Sequence, residues 1–128
     1  MATITRNPVG RVMGYGSARS GLSTWMRERL TGLALVPLGL WFVFAAVSIS
    51  GSTYEETRVW LGTPWNTTLM LLTVVLSFWH AKMGVQVILE DYVHHEMVKT
   101  LALVANLFVM ALLGTACVVS VLKISFGS

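Results

Sequence analysis

The sequence predicts an all-α integral membrane protein with three transmembrane helices, on three observations. Hydrophobic residues make up 55% of the chain and charged ones only 12%, about half the charged share of an ordinary soluble domain. Three apolar runs, 30–50, 67–89 and 100–122, each reach the roughly 20 residues that cross a bilayer core. The segments between them are short and leave no room for a separate soluble catalytic domain. Chemistry in which the protein takes part must therefore lie mostly in partner chains or a bound cofactor. The expected organisation is an N-terminal arm, 1–29, a three-helix membrane domain, 30–122, and a tail, 123–128.

The arm carries Pro8, Gly10, Gly14, Gly16 and Gly21 and reads as extended or loop-like to Leu22, with Tyr15 and Trp25 as interfacial anchors. Arg6, Arg11, Arg19, Arg27 and Arg29 all precede the first apolar run. They are dispersed and abut a span, which speaks against nucleic-acid binding. The first run starts late and is longer than a signal-peptide core, so it is expected to stay in the mature protein. Within it, Pro37 removes the hydrogen bond to the Leu33 carbonyl and predicts a kink.

Residues 51–66 form a polar segment with Glu55, Glu56 and Arg58, and with Tyr54, Trp60 and Trp65 placed for a headgroup interface. The second run is apolar apart from His80, Lys82 and Gln86, and Gln86 is expected to bond to another helix. The stretch EDYVHHEMVK, 90–99, reads as a polar connector. The third run has Asn106 as its one strongly polar residue and ends at Lys123, and the lone cysteine, Cys117, excludes an internal disulfide. With the N-terminus inside, five arginines and Lys99 face the inner side, against Arg58 and Lys123 outside. That imbalance predicts an N-inside, C-outside topology.

The second helix carries the residues that need a chemical explanation. An ionisable side chain within a span costs at least a few kcal/mol unless it is paired or ligated. At about 100° per residue, His80, Gly84, Val87 and Asp91 fall on one stripe. Histidine is a common axial ligand of haem iron, and a glycine one turn away would let a flat macrocycle approach the backbone. A neutral histidine bonded to a neighbouring helix is the plainer reading of the same residue. Asp91 and Tyr92 lie about 16–18 Å further along the axis, at the inner surface. A phenol and a carboxylate there suit a quinone head group, although an interfacial tyrosine can equally be an anchor. Lys82 points about 200° away from His80, and its role stays open. His94 and His95 read as solvated. Arg27 and Arg29 sit where the first span begins, suited to lipid headgroups or to the propionates of a haem.

The stretch HAKMGVQVILEDYVH, His80 to His94, resembles the second-helix signature of the D-type membrane anchor of succinate dehydrogenase, complex II. Its features are a histidine, a glycine four residues on, and Asp-Tyr-Val eleven residues after the histidine. RLTGLALVPL, from Arg29, looks like that family's arginine-led start of its first helix, and TYEETRVWLG like its acidic, aromatic outer loop. The resemblance covers over half the chain. It implies a haem b with His80 as axial ligand, hence the metal-binding residue, and a second ligand from a partner subunit. It makes Arg29 a propionate-side arginine, Gly84 a cofactor-side residue, and Tyr92 with Asp91 part of a ubiquinone site. The implied partners are a second, C-type anchor packed against these helices, an iron–sulfur subunit and a flavoprotein, in a bacterial or mitochondrial inner membrane. The chain itself would supply no catalytic-core residue. Two alternatives stand beside this: a haem-less anchor of a fumarate reductase-type complex, and a small transporter subunit using His80, Lys82 and Asp91 as a proton relay.

Overall fold

The computed structural model describes residues 18–127, so Arg6, Arg11 and Tyr15 lie outside the described residues. Within it are four helices: α1 (Ala18–Ser48), α2 (Tyr54–Leu61), α3 (Pro64–Tyr92) and α4 (Glu96–Phe126). Of these, α1, α3 and α4 are long and apolar enough to cross a membrane. At ~1.5 Å per residue each exceeds the roughly 30 Å hydrocarbon core.

The helices extend further than the apolar runs suggested. An apolar run ends where side chains turn polar, whereas a helix ends where its backbone bonds stop. Thus α1 begins at Ala18, inside the segment expected to be loop-like, and continues through Pro37. Glu90, Asp91 and Tyr92, expected in a connector, form the last turn of α3, and Glu96 to Lys99 form the first turn of α4. The connector is reduced to Val93, His94 and His95. His95 is exposed and also serves as the N-cap, its Nδ1 accepting from the Val98 amide. At the other end, α4 continues past Lys123 to Phe126.

The outer segment holds a helix that hydropathy did not predict. Thr53 and Glu56 form a reciprocal capping box: Thr53 Oγ1 accepts from the Glu56 amide, and the Glu56 carboxylate accepts from the Thr53 amide at 2.7 Å. These bonds hold the exposed Glu56 carboxyl below its ordinary value. The cap is thus present above the usual carboxylate range and is lost as acid protonates Glu56. Trp60 stacks on Trp41 of α1, with ring centroids 6.2 Å apart, so it is a packing residue as well as an interfacial one. Arg58 Nη2 donates to the Gly127 carbonyl at 2.9 Å, and Asn66 Nδ2 donates to the Trp60 carbonyl at 2.9 Å. Gly127 takes a positive φ of 72°, and a Cβ there would collide with the Arg58 guanidinium. In this way α2 is tied to all three long helices.

The long helices are antiparallel in sequence order, with α3 packed between α1 and α4. Small residues permit the close approaches: a Cβ at Gly32 of α1 would lie 3.4 Å from the His80 ring, and one at Gly114 of α4 would lie 3.3 Å from Phe78. Hydroxyls within the helices return their proton to a carbonyl one turn back, as Thr73 does to Leu69 and Ser120 to Ala116. Among the described residues only Ala45, Leu61, Thr73, Met83 and Asn106 are buried, while Leu33, Phe44 and Leu112 are 70–74% exposed. In water each such large apolar side chain would forgo about 1.5–3 kcal/mol of burial. Lipid or a second protein must cover these faces.

Asn106 is the polar tie between spans: buried in α4, it donates from Nδ2 to the Lys82 carbonyl of α3 at 3.0 Å. Asn106→Leu preserves volume and removes this bond. It is expected to lower stability by about 0.5–2 kcal/mol in a denaturant titration in detergent, with helix content unchanged by circular dichroism.

Candidate functional site

His80 stands where α3 crosses α1. Its Nδ1 lies 3.0 Å from Thr31 Oγ1. The same hydroxyl lies 2.8 Å from the Arg27 carbonyl oxygen and 3.1 Å from that of Glu28. Among the described residues, His80 Nε2 has no hydrogen-bond partner. The half-buried imidazole lines an open hollow of about 620 Å³ together with Glu28, Arg29, Gly32, Leu33 and Val36.

The two arginines at the start of the first span separate here. They are two residues apart, so they project about 200° from one another. Arg29 lines the His80 hollow, and its guanidinium sits 5.4 Å from the centroid of the Trp25 ring one turn back. Arg27 lines a second hollow of about 560 Å³, between α1, α3 and α4, shared with Phe78, Lys82, Met83 and Gln86.

Lys82 also faces that second hollow, as its 200° offset from His80 required. Its charge is met within the helix: Lys82 Nζ donates to Gln86 Oε1 at 2.8 Å, and Gln86 Nε2 donates to Glu90 Oε1 at 2.8 Å. This corrects the expected interhelical role of Gln86. The spacing i, i+4, i+8 aligns the three residues on one face of α3, so their bonds run along it. The chain of polar groups leads Lys82 toward the polar end of the helix. His80, Lys82 and Asp91, by contrast, do not join into a hydrogen-bonded relay among the described residues.

Gly84 lies one turn beyond His80, exposed, and a Cβ there meets nothing within 4 Å. Because α3 is unbroken to Tyr92, the stripe from His80 through Gly84 and Val87 to Asp91 lies on one continuous helix. Asp91 and Tyr92 are exposed, and their side chains make no hydrogen bond to another described residue. They remain roughly 16–18 Å from His80 along the axis. The structure thus brings His80 and Arg29 together, keeps Gly84 on the same helix face, and leaves Asp91 and Tyr92 as a separate pair. Thr31 and Gly32, which contact the imidazole, were not singled out from sequence. Their signal is a pair of small residues two and three positions after Arg29, in a helix otherwise rich in large apolar side chains.

Comparison with known proteins gives a consistent answer. The family model described as succinate dehydrogenase/fumarate reductase transmembrane subunit matches residues 3–121. The succinate dehydrogenase hydrophobic membrane anchor subunit of Rickettsia conorii is 34% identical over 95 residues, covering 73% of this chain and 75% of that protein. The corresponding protein of Rickettsia bellii is 31% identical over 104 residues, covering 80% and 83%. The succinate dehydrogenase membrane anchor subunit of Reclinomonas americana is 26% identical over 96 residues, covering 73% and 80%. No solved structure gives a significant match.

Proposed function

The chain belongs to the succinate dehydrogenase/fumarate reductase transmembrane subunit family, and from that premise we propose that it is the D-type anchor, which helps to hold a haem b and to form the ubiquinone reduction site. It is an integral membrane anchor subunit of the succinate dehydrogenase complex, with three candidate spans. The D-type assignment is supported by the sequence His80-x3-Gly84-x6-Asp91-Tyr92, carried on one unbroken helix.

The observation that carries the haem reading is the surroundings of His80. A histidine within a lipid-spanning helix has one ring nitrogen engaged by Thr31 and the other without a protein partner. Arg29 and small or apolar residues line the same hollow, which fits a flat, largely apolar group bearing carboxylates. His80 would be the axial ligand, with the second supplied by the partner anchor. Arg29 would face a propionate, and Gly84 would keep the adjacent face of α3 free of side chain. When bound, the haem iron would supply one-electron storage near the quinone. The chain's own tasks are to position the imidazole, neutralise carboxylate charge and exclude water from that depth.

The topology proposed is N-inside and C-outside, in a bacterial or mitochondrial inner membrane. It puts Asp91, Tyr92 and the arginine-rich start of α1 on the side where soluble subunits dock. Three spans with almost no soluble mass cannot oxidise succinate alone. Purification in mild detergent is expected to recover the chain with a second, C-type membrane subunit, an iron–sulfur subunit and a flavoprotein. Isolation of the chain alone in fully active form would overturn the assignment.

A further inference from the structure

We propose that Thr31 is a positioning residue that fixes the tautomer of His80 and so selects Nε2 as the nitrogen presented to the iron. The inference rests on the haem reading above. Its basis is the hydrogen-bond arithmetic of one hydroxyl. Thr31 Oγ1 has one proton and three close neighbours: the carbonyl oxygens of Arg27 at 2.8 Å and Glu28 at 3.1 Å, and His80 Nδ1 at 3.0 Å. A carbonyl oxygen can only accept. If the hydroxyl donated to Nδ1, its lone pairs would face two carbonyl oxygens at contact distance, and neither could reciprocate. If it donates back to its own helix, as Thr73 and Ser120 do in α3 and α4, its lone pairs are free to accept from Nδ1–H. The Thr31 hydroxyl and His80 Nδ1 are then both satisfied.

A neutral imidazole with its proton on Nδ1 carries its lone pair on Nε2. Nε2 is the nitrogen without a protein partner. The Thr31 bond therefore does three things. It excludes the tautomer that could not ligate through Nε2, it sets the rotation of the ring against Gly32, and it makes the imidazole more electron-rich. Metal-bound histidines commonly have their second nitrogen held in this way, and loss of the holding group typically weakens metal affinity by about 10–100-fold. Here the holding group is a threonine on another helix, so the crossing of α1 and α3 and the ligand geometry depend on the same contact.

The test uses the intact complex carrying Thr31→Val, Thr31→Ala, Thr31→Ser or His80→Ala. It reads the midpoint potential of haem b, its low-spin paramagnetic resonance signature, and the rate of haem loss to a scavenging protein. Thr31→Val and Thr31→Ala are expected to raise the potential, because a less electron-rich imidazole stabilises oxidised iron less. They should also shift the resonance signature and speed haem loss by about 10–100-fold. Thr31→Ser restores the hydroxyl and is expected to return all three readouts toward wild type. Should Thr31→Val fail to assemble, the smaller Thr31→Ala decides against the serine variant. Alanine and serine variants that share one potential and one signature would overturn the role of Thr31. If Thr31→Ala matched wild type while His80→Ala lost the haem, the positioning role alone would fall. An unchanged spectrum in His80→Ala would remove the haem reading and this inference together.

Discussion

Replacing His80 by alanine is expected to abolish or strongly diminish the low-spin haem b band in the reduced-minus-oxidised spectrum of the purified complex. The prediction follows from place and partnership. His80 is an ionisable side chain within a span, where burial without a partner costs at least a few kcal/mol. Among the described residues, its one side-chain hydrogen bond, to Thr31, engages only one of its two ring nitrogens. If His80 is the axial ligand as proposed, removing the ring would take away a bond to iron that its neighbours could not replace, since among the described residues Glu28 and Arg29 are the only other ionisable groups lining the hollow. Two controls separate ligation from general damage. His94→Ala and His95→Ala are expected to leave the spectrum intact; His95→Ala should additionally cost about 0.5–2 kcal/mol of stability through loss of the α4 cap. Gly84→Leu supplies a complementary test. A side chain there meets nothing within 4 Å in this chain, so the fold of the anchor itself should tolerate it. Loss of haem in Gly84→Leu with helix content unchanged would locate the macrocycle beside that turn. An unaltered spectrum in His80→Ala would move the ligand elsewhere.

The spans were legible because the bilayer imposes a single strong requirement, a long stretch of apolar side chains, which hydropathy reads directly. The ends of the helices were not, because Glu90, Asp91, Tyr92 and Glu96 are polar yet helical. Helix α2 escaped hydropathy for the same reason, although Thr53-x-x-Glu56 is a local capping signal that needs no tertiary information. The candidate site divided along similar lines. Angular arithmetic on one helix correctly separated His80 from Lys82 and aligned Gly84 with His80. The same arithmetic applied to Lys82, Gln86 and Glu90 would have found their ladder. The Thr31–His80 contact joins residues 49 apart in sequence. No periodicity within either helix encodes it, because it depends on how α1 and α3 cross. Only that crossing distinguishes Arg29, beside the imidazole, from Arg27, on the opposite side of α1.

Changing Tyr92 to phenylalanine is expected to lower quinone reductase efficiency by roughly two- to tenfold while sparing succinate oxidation with an artificial acceptor that bypasses the quinone site. Tyr92 is the last residue of α3, 78% exposed, next to the exposed Asp91. Being helical rather than in a connector, its direction is set by α3: about 120° round from His80, whereas Asp91 lies within about 20° of the His80 stripe. A quinone at this end of the helix would have its tail in lipid and its head level with a docked iron–sulfur subunit. Reduction to the quinol adds two electrons and two protons, so the head group needs water nearby, and the connector, with His94 and His95 exposed, would give access to it. The Tyr92 phenol would donate to one quinone carbonyl, with Asp91 orienting it or passing on a proton. Phenylalanine keeps the ring and its lipid-interface packing and deletes only the hydroxyl. Loss of one neutral hydrogen bond costs about 0.5–1.5 kcal/mol, and at ~1.4 kcal/mol per tenfold this gives the stated range. Asp91→Asn, which keeps shape and removes the charge, should depress the same activity without altering the haem spectrum. A parallel fall of both activities in Tyr92→Phe would mean that the tyrosine supports assembly, and the quinone assignment would be wrong.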